Sequence, residues 1–399
     1  MICWGCLATS NQAGQRLVSW IPCAWIRISG EDGDAQAVEG VTAAGVWSVI
    51  AVVRCLAGGA PRRHDRLRAR PWSVVSAVVV SSVVVLPDRL ALDRWTPFAQ
   101  LVAFRPWLTT VALGLGGGLL SRHRARPAAG ALLALGLVSA AAWLPRAIAR
   151  GEPVAGGADL SVLSCNVYRG RADVGALAQV IRDCCPDLVA LPEAGHAFRV
   201  RLDRELSGLG YRSWSSHGPR VPDHEAVTVF AAPSAGMVQA TVGTQTTVPS
   251  LEITGGALGS VRFVALHAMA PVWGATGCWR RDLALLRLWS SSGSAVVAGD
   301  LNATLDHSVL RAAMRDYTDA ACQRGLGWIG TWPATWPRWL AIPIDHILTT
   351  RDIHARQVEV LDIPGSDHRA LLAQLHVYGE RRTYSAGEYS STASITQVW

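Results

Sequence analysis

Two kinds of hydrophobic pattern divide the chain. Residues 61–150 carry long, nearly unbroken apolar runs, whereas residues 160–378 carry short apolar runs that alternate with helix-spaced ones. The first kind comprises 72–86 (WSVVSAVVVSSVVVL), 96–120 (apolar except for Gln100 and Arg105) and 128–144 (AAGALLALGLVSAAAWL). A membrane-crossing helix needs roughly 20 mostly apolar residues. These runs therefore predict three transmembrane helices, at about 72–92, 97–120 and 127–145. The alternative, buried helices of a soluble domain, leaves the Arg-rich flanks unexplained. Within 1–60 a fourth run, 41–53, is short and follows Glu31, Asp32, Asp34 and Glu39, so it lacks the basic start of a signal peptide. Residues 1–60 are set apart as an N-terminal extension.

Residues 152–158 (EPVAGGA) place a linker at 151–159, and the pattern then changes. Strands are expected at 160–168, 187–194, 226–232, 251–254, 261–267, 295–300, 344–350, 357–362 and 368–376. Helices are expected at 174–184, 196–206, 277–289 and 306–315, the last capped by Asp306. This is a layered α+β domain over 160–378, preceded by an all-α transmembrane region. A polar tail, 379–399, follows it.

Charge adds orientation. All 37 basic residues are Arg, which excludes a Schiff-base or P-loop Lys. Residues 1–150 hold 16 Arg against 7 Asp+Glu, while 151–399 hold 21 against 23, so the +7 balance belongs to the N-terminal part. The domain has no bulk positive field for nucleic acid. Arg62, Arg63, Arg66, Arg68 and Arg70 precede the first run, and Arg122, Arg124 and Arg126 separate the second from the third. The positive-inside rule puts both clusters in the cytoplasm and the domain outside, against a mild opposing signal from Arg146 and Arg150. Arg105 reads as a snorkelling residue or a helix end.

Polar residues gather at the ends of the apolar strands: Asn166, Glu193, His267, Asp300 with Asn302, Asp345, and Asp367 with His368. Layered sheets usually form their sites at such edges. Asp300 and Asn302 are two apart and share a face, whereas of Asp345 and His346 only one can face the site, taken as Asp345. Glu193 and Asp300 are hard oxygen ligands suited to Mg²⁺ or Mn²⁺, and no spaced Cys/His zinc set occurs.

In chain order, CNVYRG, LPEAG, LHA, AGDLNAT, IDHIL and GSDHRAL resemble the motifs of the endonuclease/exonuclease/phosphatase superfamily. That superfamily includes deoxyribonucleases, apurinic endonucleases, neutral sphingomyelinases and inositol polyphosphate phosphatases. The resemblance covers just over half the chain, and a membrane segment before such a domain is similar to membrane-anchored actinobacterial members. It implies a four-layer α/β/β/α sandwich and metal-dependent hydrolysis of phosphate esters. Carried over by motif, Asn166, Glu193, Asp300 and Asp367 would hold the metal, with Asn166 also placing phosphate. Asp300 would orient or deprotonate water, Asn302 and His267 would bind phosphate oxygens, and His368 would contact the scissile phosphate with its tautomer fixed by Asp345. One departure is Pro192 before Glu193, where many members have Gln.

Other positions carry blander expectations. Arg169 and Arg171 read as solvated. Trp332, Trp336 and Trp339 form a Trp-rich loop that either meets lipid or substrate or packs in the core. Asp319 and His196, His217, His224, His307, His346, His354 and His376 read as structural or surface residues. Cys165 reads as buried, and Cys278 with Cys322 is the candidate disulfide if the domain lies outside the cell.

The expected protein is thus a cell-membrane, multi-pass hydrolase with an extracytoplasmic catalytic domain and no obligate protein partner. Its substrate would be a phospholipid head group, a nucleic acid or a small phosphate ester. A non-catalytic surface binding module and an intracellular repair nuclease are the alternatives.

Overall fold

The computed structural model describes Ser82, residues 86–149 and residues 160–378. The extension 1–60, most of the first apolar run, the linker and the tail lie outside these residues. The strands are β1 (Leu160–Ser164), β2 (Leu188–Pro192), β3 (Arg212–Ser215), β4 (Val227–Ala231), β5 (Val238–Gly243), β6 (Ser250–Gly255), β7 (Arg262–His267), β8 (Ala295–Asp300), β9 (Tyr317–Asp319), β10 (Asp345–Thr350), β11 (Ile353–Asp362) and β12 (Arg369–Val377). The helices are α1 (Phe98–Ala103), α2 (Arg105–Leu119), α3 (Arg126–Trp143), α4 (Val174–Cys184), α5 (His196–Glu205), α6 (Thr276–Ala284), α7 (Leu286–Ser291), α8 (Ser308–Ala313) and α9 (Ala320–Gln323).

Two six-stranded mixed sheets form, in the orders β11-β12-β1-β2-β4-β3 and β5-β6-β7-β8-β10-β9. Their inner faces meet through Val162, Ala190 and Val229 on one side and Phe263, Val296 and Ile347 on the other. The alternate residues of the same strands face outward. Leu163 and Val189 pack with Leu177, Ile181 and Phe198 of α4 and α5, and Val264 and Val297 pack with Trp279, Leu283 and Trp289 of α6 and α7. Strands buried on both faces explain why these stretches are continuously apolar. The domain is an α+β sandwich with flanking helices.

Several boundaries differ from those read off the pattern. The 277–289 helix divides at Leu285, where the bond from Leu285 N–H to Asp282 O (3.2 Å) tightens the turn. Helix α8 starts at Ser308, and Asp306 is not its cap. The Asp93 carboxylate, from the N-terminal region, takes the Ser308 N–H and hydroxyl instead.

The helical region differs most. The expected span at 97–120 is two helices, α1 and α2, with Arg105 at the start of the second. Arg105 is 1% exposed and its terminal nitrogens bond to Asp88 and to Asp306 (3.2 Å), so its charge is paired inside the protein. Arg146 also bonds to Asp306 (3.0 Å). Ala99 packs into the core beneath β7 and β8, and its carbonyl accepts from His307 Nε2 (2.9 Å). Helices α2 and α3 pack closely at Gly116 and Gly136, where a methyl group would meet Leu133 and Leu113, and Thr109 and Ser139 bond between them (2.6 Å). Among the described residues, one segment, Arg126–Ala147, is long and apolar enough to cross a membrane, with a mean hydropathy of 1.8.

Cys165 is buried. Cys278 and Cys322 are not joined to each other. The Cys278 sulfur lies 3.1 Å from Arg281 Nη2, and the Cys322 sulfur fills the space over Gly327.

Candidate active site

Strand register builds half of the site. In the second sheet His267 pairs with Asp300 across parallel β7 and β8, and Asp345 pairs with Asp300 across antiparallel β8 and β10. Three polar side chains thus end three neighbouring strands at one level. Asp345 is at the start of its strand, and His368 precedes β12. β10 runs antiparallel to β8, so its N-terminal end reaches the same edge as the C-terminal ends of β7 and β8, and β12, in the first sheet, is likewise antiparallel to β1. Gly299 lets β8 lie this close to β7: its φ is 148°, and a Cβ there would sit 1.8 Å from Leu266 O.

The first sheet supplies the other half. Asn166 follows β1, Glu193 follows β2, and Val167 N–H bonds to Pro192 O (3.0 Å), tying the two loop starts together. Pro192 thus serves through its carbonyl. Glu193 and Asn302 have φ of 60° and 48°, and Tyr168, Arg169 and Gly170 are also left-handed. Such a conformation in a non-glycine residue costs on the order of 1–3 kcal/mol and clusters at functional sites. Here it turns the Arg169 N–H onto Glu193 Oε2 (2.8 Å) and the Asn302 N–H onto Asp300 Oδ1 (2.8 Å).

The halves meet at Asn166 and Asp300. Asn166 Nδ2 donates to Glu193 Oε1 (3.0 Å) and Asp300 Oδ2 (3.1 Å), while its oxygen accepts the Tyr168 N–H (2.9 Å). It therefore steers the two carboxylates, while its oxygen, with one lone pair taken by the Tyr168 N–H, keeps a second for a ligand. Asn302 Nδ2 holds Ala268 O (2.9 Å) and lies 3.5 Å from Asp300 Oδ2. Its donors fix the base of the site. His267 Nε2 lies 3.8 Å from Glu193 and 3.9 Å from Asp300. His368 Nδ1 donates to Asp345 Oδ2 (2.8 Å), and its Nε2 is 3.8 Å from Asp300 Oδ2 and 3.9 Å from Asp367 Oδ1.

Burial sets the proton positions. Burial and the neighbouring Asp345 charge push the Asp300 carboxyl up to about 6. Burial works against charge on His368, but the Asp345 carboxylate and its hydrogen bond push the ring up to about 10, so it is protonated at neutral pH. Burial likewise opposes ionisation of Glu193, yet His267 and the Asn166 bond hold it below the usual carboxylate range. Asp367 is raised, mainly by burial.

Asp300, Asp345 and His368 offer ligand atoms within 4.8 Å of one another. Asp345 Oδ2 and His368 Nδ1 are bonded to each other (2.8 Å). Beside them, Asp367 Oδ1 is buried with no hydrogen-bond partner among the described residues. Glu193, Asp300 and Asp367 are further hard oxygen donors, and Asp345 Oδ1, like Asp367 Oδ1, has no hydrogen-bond partner among the described residues. His346 faces away, donating to Asp319 Oδ2 and Ala303 O (2.8 Å each), while Asp319 Oδ1 takes the Cys322 N–H. Arg169 and Arg171 are exposed at the rim, with Arg171 over the Tyr168 ring.

A model of the endonuclease/exonuclease/phosphatase family matches residues 163–368. The chain belongs to that family and is a phosphoric ester hydrolase. No curated protein matches it in sequence. Among solved structures, this hydrolase is similar to an endonuclease/exonuclease/phosphatase from Beutenbergia cavernae (19% identity over 55% of this chain and 72% of that one, TM-score 0.42). It is also similar to D. rerio TDP2 complexed with single strand DNA product (15%, 55% and 99%, 0.42). The human Nocturnin catalytic domain with bound sulfate anion is a third (17%, 55% and 94%, 0.41).

The site of this hydrolase also uses residues that the motifs did not single out. The Ser366 hydroxyl donates to Asn166 O (2.6 Å) and accepts the His368 N–H (3.0 Å). The Thr331 hydroxyl oxygen accepts the Ile344 and Asp345 N–H groups (3.1 and 3.2 Å). Arg369 gathers the carbonyls of Gly330, Ala334 and Trp336. Ser366 and Arg369 flank Asp367 and His368 in GSDHR, which is the signal that could have found them.

Proposed function

We propose that this chain is a membrane-anchored hydrolase that uses a divalent cation, Mg²⁺ or Mn²⁺, to cleave phosphate esters outside the membrane. One observation carries the chemistry: Asp300 lies between an ionised carboxylate, Glu193, and a protonated imidazole, His368, with donors from both sheets converging on it. Asn166, Glu193, Asp300 and Asp367 would hold the cation, and Asp367 Oδ1, with no hydrogen-bond partner among the described residues, fits that role. When bound, the cation supplies Lewis-acid stabilisation of charge on the phosphoryl oxygens.

The chain's own residues do the rest. Asp300 accepts the proton of the attacking water as the water oxygen bonds to phosphorus and the ester P–O bond breaks, the departing oxygen leaving as an alcohol with a proton taken from solvent. His368 donates through Nε2 to a phosphate oxygen, and Asp345 holds that ring charged and oriented. His267 lies where it can meet a second phosphate oxygen, while Asn166 and Asn302 keep the carboxylates in place. The substrate is a phosphate ester of a phospholipid head group, a nucleic acid or a small molecule.

Hydrolysis of a generic phosphodiester by the full chain in detergent tests the chemistry. Activity is expected with Mg²⁺ or Mn²⁺, a loss of about tenfold or more with chelator, and recovery when cation is restored. Turnover indifferent to chelator would remove the cation from the reading. The anchor is supported by the apolar length of Arg126–Ala147 and its exposed Leu137, Val138 and Leu144. A reporter fused at Pro153 that is active only outside the cytoplasm is the expected result. Signal from a cytoplasm-only reporter would reverse the orientation and favour an intracellular nuclease.

A further inference from the structure

Residues 330–343 form a loop closed by reciprocal bonds between Trp332 and Ile342 (3.0 and 2.7 Å). One side of this loop touches the reacting residues. Trp332 Nε1 donates to Asp367 Oδ2 (3.2 Å), and Ala334 N–H donates to Asp367 O (2.6 Å). The Trp332 ring lies 6.3 Å from that of His368. The other side rests on the N-terminal helices. Trp107 Nε1 donates to Leu340 O (3.1 Å), and the Trp107 and Trp339 rings are 5.4 Å apart. Ala103 is buried with Ile342 and Ile344, and both Phe104 and Trp332 pack against that cluster.

We propose that the N-terminal helices complete the active site, with Phe104 and Trp107 as positioning residues. They hold the 330–343 loop, and the loop holds the Asp367 carboxylate beside His368. Neither residue lies within the segment 163–368 that the family accounts for, so this would be a contribution particular to chains with such helices. The inference rests on the hydrolase reading of Asp367 and His368.

The physical reason is preorganisation. An indole N–H bond is directional, and it fixes one oxygen of Asp367 while the other stays open for a ligand. A loop of this length drifts unless both of its sides are held, and displacement of a reacting group by about 1 Å can cost on the order of 10²-fold in rate. The Arg369 clamp holds the near side of the loop. Trp107 donates to the far side from the N-terminal helices.

The test uses the full chain in detergent, with Trp107→Ala, Trp107→Phe, Trp332→Phe and the Trp107→Ala/Trp332→Phe double variant. Trp107→Ala is expected to lower kcat about tenfold with KM within about twofold, because geometry and not substrate binding is lost. Trp107→Phe keeps a ring against Trp339 and should lose less, and it replaces the Ala variant should that one fail to fold. The double variant should be no slower than the worse single, since both substitutions cut one chain of contacts. Mn²⁺ binding, followed without turnover, should weaken several-fold in Trp107→Ala. Unchanged kcat in the Trp107 variants, or losses that multiply in the double variant, would overturn the proposal. An inactive wild-type chain would count against the hydrolase reading alone. The Mn²⁺ titration then decides, and equal affinity in wild type and variant rejects the positioning role.

Discussion

Asp300→Asn is expected to lower kcat by on the order of 10²–10⁴ without loss of the fold. The carboxylate is held from both sides, by the Asn302 N–H on Oδ1 (2.8 Å) and Asn166 Nδ2 on Oδ2 (3.1 Å), and it faces His368 Nε2 at 3.8 Å. With its carboxyl near 6, it is ionised at pH 7–8 yet basic enough to take a proton from water. An amide of the same shape cannot take that proton, and whichever way it turns it sets an N–H against an existing donor. Stability should stay near wild type, because relief of the buried charge offsets the donor that the amide leaves unpaired. A raised carboxyl means that burial and Asp345 already disfavour the charge, so its removal relieves a cost that the fold carries. Steady-state kinetics with a thermal melt on the same sample checks both halves. A variant within about threefold of wild-type kcat would remove Asp300 as the base.

Much of this site was legible because strands place polar residues by register. The apolar runs ending in His267 and Asp300, and the one beginning at Asp345, needed only to be adjacent strands for their polar residues to meet, and β7, β8 and β10 are neighbours. The strands that escaped the pattern are β3, β5 and β9, each at the edge of a sheet. An edge strand is half exposed and need not be apolar: RSWS and VQATVG read as loops for that reason. Asp306 was misread because Asp before a helical stretch usually caps it. Its partners, Arg105 and Arg146, lie some 200 and 160 positions away in a region that the pattern treated as membrane. The roles of Ser366, Thr331 and Arg369 were hidden for a related reason: each acts through backbone groups of a distant loop, and such bonds leave no periodicity. The twofold use of Asn166, nitrogen to the carboxylates and oxygen to the backbone, depends on the left-handed turn at Tyr168, which no propensity rule assigns to Tyr-Arg.

Asp306→Ala is expected to be the most damaging substitution away from the active site, at about 3–5 kcal/mol of stability. The Asp306 carboxylate is 2% exposed and receives both Arg146 guanidinium nitrogens (3.0 Å each) and Arg105 Nη1 (3.2 Å). Arg105 is as deeply buried, and Arg311 adds a third guanidinium against Asp88 (2.6 Å). Asp88 and Asp306 thus hold the buried Arg105 between them, with Arg146 and the part-exposed Arg311 at the edges. Removing Asp306 leaves Arg105 with Asp88 alone and Arg146 with the Leu305 carbonyl alone, and an uncompensated buried charge costs more than the intact pair contributes. For a folded unit of this size the loss corresponds to a Tm lower by about 10 °C. Asp306→Asn keeps the shape and part of the hydrogen bonding and should fall between. Melts of the full chain in detergent separate these cases, and a Tm within about 2 °C of wild type for Asp306→Ala would mean that the Arg side chains find other partners. The network ties the N-terminal helices to the hydrolase fold. Its loss should therefore also loosen the 330–343 loop that Phe104 and Trp107 support, and lower kcat at temperatures where the chain is still folded.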